Sequence, residues 1–202
     1  AVLAYLQETQ RSGLPSVTRL VTYSCESYMT LDAHTRRNLE LFQAGRSAGA
    51  SGALITSLDR TRTAIGARLL RTWLGQPLLD REAIERRLDC VAALTQRTDL
   101  RSAIESALAG VADLERLANR ARSFNAAPRE LGALLRSLNA VPRLWAAIAG
   151  LPPHVADQLA PPPTALQAAD ELRAGLAQAL ADDLPQSAAD GGVFRSGFSP
   201  EL

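Results

Sequence analysis

The sequence predicts a mainly α-helical chain: a multi-helix bundle with a short β-hairpin or strand near the N-terminus and an extended C-terminal exit segment. Three observations carry that expectation. Ala and Leu supply 36 and 33 of the 202 residues while aromatics reach only 4%, a mixture that favours helix and gives little to strands. Apolar residues recur at steps of three and four along most of the chain. Pro and Gly punctuate the stretches between them. A hydrophobic share of 47% is enough to bury a sizeable core.

The elements follow in order. Leu3 and Leu6 mark a short helix from Ala1 to about Arg11, stopped by Ser12-Gly13-Leu14-Pro15. From Val17 to Leu31, β-branched and aromatic residues concentrate, which reads as a strand or a hairpin, with Ser24-Cys25-Glu26-Ser27 as the connection. Asp32 caps a helix running through Phe42, with Leu39 and Phe42 on one buried face and Asn38 beside them as a candidate for a buried polar network. Residues 43–53 form a Gly-rich loop without a GxxxxGK[ST] pattern.

Asp59 and Thr61 both suit the cap of the next helix, whose stripe is Ile65, Leu69, Leu70, Trp73 and Leu74, ended by Pro77. Asp80 caps a helix of about 17 residues whose core face is Ile84, Leu88, Val91 and Leu94. Leu100, Ile104 and Leu108 continue to Gly110, and Asp113 opens a helix with Leu114, Leu117, Ala118, Ala121 and Phe124 inward. Pro128 suits the first position of a helix carrying Leu131, Leu134, Leu135, Leu138 and Val141, which Pro142 should kink or split. Pro152-Pro153 and Pro161-Pro162-Pro163 bracket a short piece around Val155-Leu159. Thr164 caps the last long helix, striped by Leu166, Ala169, Leu172, Leu176 and Leu180, and Gly191-Gly192-Val193-Phe194 reads as an extended exit.

Charge excludes some classes of function. With 22 basic and 21 acidic residues the net charge is +1, short of the excess of an autonomous nucleic-acid-binding domain. All the basic residues are Arg, reflecting either ion-pair chemistry or a GC-rich genome. Cys25 and Cys90 are 65 positions apart without a CxxC pairing or a His cluster, which indicates neither a disulfide framework nor zinc and makes a reducing cytoplasm the default. No run approaches a membrane span and the start lacks a signal peptide's basic region.

The candidate chemistry is sparse. Asp182-Asp183 lacks a third carboxylate at helical spacing, so it reads as capping and solubilising rather than metal-binding. His34 and His154 adjoin no nucleophile motif. Arg36-Arg37, Arg60, Arg62 and Arg86-Arg87 suit phosphate contact, yet Glu40, Asp59, Glu82, Glu85 and Asp89 stand close enough for ion pairs within the chain. Trp73 and Trp145 lie on apolar stripes and read as core. The chain lacks an initiator Met, and Ser199-Pro200-Glu201 reads as a helix start with nothing behind it, so the expectation is a piece of a longer protein.

Several ordered blocks resemble one family. Met29-Thr30-Leu31-Asp32-Ala33-His34-Thr35-Arg36-Arg37-Asn38-Leu39-Glu40-Leu41 is similar to the opening signature of the core, or lever, domain of MutS-type DNA mismatch repair proteins. Leu58 to Leu74 with Gln76-Pro77-Leu78, Arg87-Leu88-Asp89, Asp113 to Leu117, and Pro128-Arg129-Glu130-Leu131 continue the resemblance in order. Asp190 to Phe198 with Glu201-Leu202 resembles the exit strand leading to the family's DNA clamp.

The resemblance implies that residues 1–202 are the first half of a lever domain, cut where the clamp begins, in a parent that binds mismatched double-stranded DNA in an ATP-dependent manner. It implies a bacterial, cytoplasmic homodimer, nucleoid-associated in action, that recruits downstream repair factors and has no membrane role. Catalytic, cofactor and metal residues are expected to be absent from this chain, with ATP and Mg bound in an ATPase domain elsewhere. Arg36, Arg37, Asn38, Asp59 and Arg62 are the expected coupling residues, joining helices through charge-assisted hydrogen bonds. A stand-alone helical interaction scaffold and the lever of a recombination relative are the alternatives.

Overall fold

Residues 27–45 and 52–198 are described by the computed structural model. Nine helices carry the described chain: α1 (Ala33–Asn38), α2 (Leu54–Leu58), α3 (Ala64–Gly75), α4 (Arg81–Gln96), α5 (Thr98–Leu108), α6 (Leu114–Arg122), α7 (Pro128–Ala149), α8 (Pro153–Leu159) and α9 (Pro163–Ala179). A 3₁₀ turn (Ala188–Asp190) follows them. The expected helix over 1–11, Cys25 and the tail from Ser199 lie outside the described residues.

The bundle is organised around α7. Pro128 stands at its first turn, where no backbone N–H is required, and Glu130 Oε2 accepts from the Ala127 N–H at 3.0 Å. Its buried side includes Leu134, Ser137, Leu138 and Ala140, and α5, α6, α8 and α9 all pack on it. One apolar cluster gathers Leu117, Leu134 and Leu138, with Leu114, Ala169 and Leu176 against them. A second joins Ala93, Leu151 and the wholly buried Val155 to Cys90, Leu94, Leu100 and Ile104. The short proline-bracketed α8 thus plugs the end of the bundle. Pro142 neither splits α7 nor is buried in it.

Several expectations are corrected. Most of the hairpin over 17–31 lies outside the described residues, and its described end pairs elsewhere: Tyr28 bridges Leu78, with Met29 N–H donating to Pro77 O at 2.8 Å. Among the described residues there are isolated β-bridges and no sheet. Helix α1 stops at Asn38 rather than Phe42, because Glu40 enters the left-handed region at φ 48° and turns the chain. Leu39 and Asn38 are consequently exposed, and Leu41 takes the buried place. Residues 46–51 of the Gly-rich stretch lie outside the described residues, and Ala53 precedes α2, whose Ile55 is buried.

Thr63 caps α3 in place of Asp59 or Thr61, its Oγ1 accepting from Gly66 N–H at 3.1 Å. On α4, Leu88 and Val91 are 59% and 61% exposed, and the buried face is turned to Ala93, Cys90 and Leu94. Trp73 is exposed rather than core. Phe124 ends α6 in a left-handed turn, φ 56°, and is 97% exposed. Helix α9 begins at Pro163, one residue before Thr164, with Pro162 as its cap. The exit segment bridges Leu180 to Phe194, so it folds back on the end of α9.

Candidate functional site

Among the described residues no three His, Cys, Asp or Glu are grouped to hold a metal ion, and no helix is long and apolar enough to cross a membrane. His34 and His154 are exposed. Many of the polar side chains occupy junctions between helices, and those junctions form a series from α1 to the exit.

At the first junction, Asp32 Oδ1 accepts from Thr35 N–H at 2.7 Å and starts α1. Arg36 then faces the end of α3, where its Nη2 donates to Gly75 O at 3.1 Å. The last carbonyls of a helix lack intrahelical partners and carry the negative end of its dipole, so a guanidinium there satisfies both needs. The Phe42 ring lies against Gly75, where a Cβ would stand 3.4 Å from it. The bridge between Tyr28 and Leu78 ties the same two chain segments together.

The second junction holds α3 to the bundle. Helix α3 buries only Gly75, so apolar packing contributes little to its docking. Arg62 pairs with Glu105 on α5 at 2.9 Å. Arg68 grips both oxygens of Asp113 at 2.8 Å and reaches Glu115 at 2.6 Å. Asp113 is also the cap of α6, accepting from Arg116 N–H. The hydrogen-bonded guanidinium holds the Asp113 carboxyl down at about 2, and the two carboxylates raise Arg68 further above its ordinary range. Arg87 on α4 lies 3.8 Å over the Trp73 ring, a cation–π contact that keeps this exposed indole in place.

Within the bundle, Arg116 and Arg120 of α6 converge on Glu130 of α7 at 3.1 and 2.6 Å. The Ala127 N–H is the largest influence lowering the Glu130 carboxyl, with Arg120 next. The fully buried Ser137 accepts from Ala112 N–H at 3.0 Å and donates to Ala133 O at 2.7 Å, fastening the α5–α6 loop to α7. At the exit, Arg195 grips Asp182 at 2.6 Å and donates to Ala177 O.

The five sequence-predicted coupling residues are therefore distributed over separate contacts. Arg36 spans to α3 and Arg62 to α5, while Asp59 accepts from the Thr61 N–H and hydroxyl at 3.0 and 2.6 Å within its own turn. Arg37 and Asn38 are exposed on α1. Sequence reasoning missed Arg68, Ser137 and Arg195. Glu130 carried a visible signal as an acid in a first helical turn after Pro128. Arg68 carried none, since its partners stand 45 and 47 positions away.

Comparison with known proteins gives these junctions a setting. The family model described as MutS domain III matches residues 34–196. The DNA mismatch repair protein MutS of Dehalococcoides mccartyi (strain ATCC BAA-2266) is 40% identical over 206 residues, taking in all of this chain and 23% of the relative. Those of Thermosynechococcus vestitus and Symbiobacterium thermophilum are 44% and 41% identical over 202 residues, again all of this chain and 23% of each relative. The chain thus spans less than a quarter of the length of the curated relatives it matches.

Proposed function

From the premise that this chain belongs to the MutS family through its domain III, we propose that it is the first part of a helical lever. In this reading residues 1–202 link a DNA clamp to an ATPase within a mismatch-binding homodimer. ATP, Mg and the contacts with mispaired double-stranded DNA belong to other parts of the full-length protein, which recruits downstream repair factors. This chain performs no chemical step.

The observation that carries the proposal is α7 and its surroundings. A helix of 22 residues extends about 33 Å at 1.5 Å per residue, and four other helices brace it. Its ends therefore move together, since bending it would break internal hydrogen bonds and separate packed side chains. The two apolar clusters make the braced unit stiff. The junctions add the second requirement of a lever, attachment at defined points. Arg36 and Arg62 join successive helices, and Asp59 fixes the turn before α3. Arg37 and Asn38 form no part of this attachment proposal.

The test softens the rod without emptying its core. Arg136 and Asn139 are exposed positions within α7, and Gly at each costs roughly 1 kcal/mol of helix stability. In the full-length protein, Arg136→Gly with Asn139→Gly is expected to retain mismatch binding and basal ATP hydrolysis while weakening the change in hydrolysis that mismatched DNA produces. Unaltered coupling in the folded double variant rejects the lever reading. The isolated chain is expected to hydrolyse no ATP and to show little mismatch preference.

A further inference from the structure

A cationic depression beside the first junction is unexplained by the lever reading. Two open hollows of about 270 Å³ each meet at Arg36 and Phe42. Arg37 and Gln43 flank one of them, and Arg71 and Gln76 the other. Three Arg side chains therefore line two hollows that share one half-buried phenyl ring, and the described lining residues include no carboxylate. Arg36 is anchored through Nη2 on Gly75 O, and the ring rests against Gly75, so the floor is fixed before anything binds.

Among the described residues the nearby acids stand outside the lining of the hollow. Asp59, which accepts from the Thr61 N–H and hydroxyl, keeps its charge within the field of Arg71 and offsets part of it without lining the hollow. Asp32 serves the Thr35 N–H, and Glu40 accepts from the Gly45 N–H at 2.8 Å.

We propose that the Arg36–Arg37–Arg71 depression around Phe42 is a docking site for an acidic protein segment that carries an apolar side chain between its carboxylates. Guanidinium forks match carboxylates two bonds at a time, and clustered Arg is a recurrent means of reading acidic motifs. The phenyl floor supplies an apolar contact that a bare phosphate leaves unused. Each hollow is also larger than an inorganic phosphate requires and suits a side chain. A duplex needs cations spread along its backbone, where one negative charge recurs about every 1.7 Å of axis. Here the three Arg line two adjoining hollows that share one ring.

The test uses the 202-residue chain and a fluorescein-labelled acidic peptide, DELFDE, with NQLFNQ as its neutral counterpart. Fluorescence anisotropy is expected to show saturable binding of DELFDE with a Kd on the order of 100 µM or tighter. Arg37→Gln and Arg71→Gln should each weaken it about tenfold, and circular dichroism melting of each variant separates lost docking from lost fold. Absence of saturation with the wild-type chain overturns the proposal outright. Equal binding of NQLFNQ overturns it in favour of a simple apolar contact. Displacement of DELFDE by millimolar phosphate or by a short DNA duplex at comparable charge concentration overturns it in favour of a phosphate site.

Discussion

Replacing Ser137 with Ala tests the central joint of the bundle. Ser137 is fully buried on α7, and its hydroxyl both accepts from Ala112 N–H and donates to Ala133 O. The second bond is inexpensive to lose, since helix carbonyls keep their backbone donors. Loss of the first strands a half-buried N–H, a cost of about 1–3 kcal/mol. Better helix propensity of Ala returns roughly 0.5 kcal/mol. The net loss is about 0.5–2.5 kcal/mol, which lowers Tm by about 1–10 °C in a chain of this size. Urea titration and calorimetry measure it, and amide exchange at Ala112 should accelerate in parallel. Ser123→Ala is the control, because its hydroxyl donates at an exposed helix end. A Ser137→Ala change within about 0.3 kcal/mol of wild type, with Ala112 exchange unaltered, refutes the joint.

Other expectations follow from the same contacts. Val155→Ala removes two methyls from a site with no exposure and should cost about 2 kcal/mol, read by urea titration. Gly175→Ala on α9 meets nothing within 4 Å and should raise stability by about 0.5–1 kcal/mol, whereas an unchanged midpoint would argue against a regular helix there. The Asp99 and Asp113 carboxyls are held at about 2 by Arg97 and Arg68, against an ordinary 3.8. Folded values below unfolded ones give stability that is complete above about pH 4 and lost as pH falls toward 2. Tm should therefore be flat from pH 7 to about 5 and decline below 4, and Arg68→Gln should flatten part of that decline.

Legibility in the sequence followed the range of the forces involved. Asp32, Asp80 and Asp113 were readable as caps because a cap is decided within three residues. Periodicity located α3 to α7 and α9 for the same reason, while α8 was visible only as a short piece bracketed by prolines. It did not tell which apolar stripe finds a partner, since Leu88 and Val91 repeat as regularly as Leu134 and Leu138 yet remain exposed. Helix α1 was read too long because Glu40 adopts a left-handed turn, stabilised by its own side chain on Gly45 N–H, that no propensity favours. At the candidate site, Arg36 and Arg62 were legible as polar residues near predicted helix ends. Their partners were not, because Gly75 and Glu105 are brought near by tertiary structure alone.

The two kinds of attachment in this chain have different physical consequences. Helices α4 to α9 are joined through buried apolar surface, which is non-directional and not screened by ions. Helix α3 is joined to them chiefly through Arg62, Arg68 and the Arg87–Trp73 contact, all on half-exposed side chains. Such contacts are individually weak and screened by ions, but Arg68 binds Asp113 in one orientation and thereby fixes direction. The lever proposed above needs rigidity along its length and a defined yet releasable angle at its end. Apolar packing around α7 supplies the former, and an oriented ion-pair clasp on α3 supplies the latter without adding to the core.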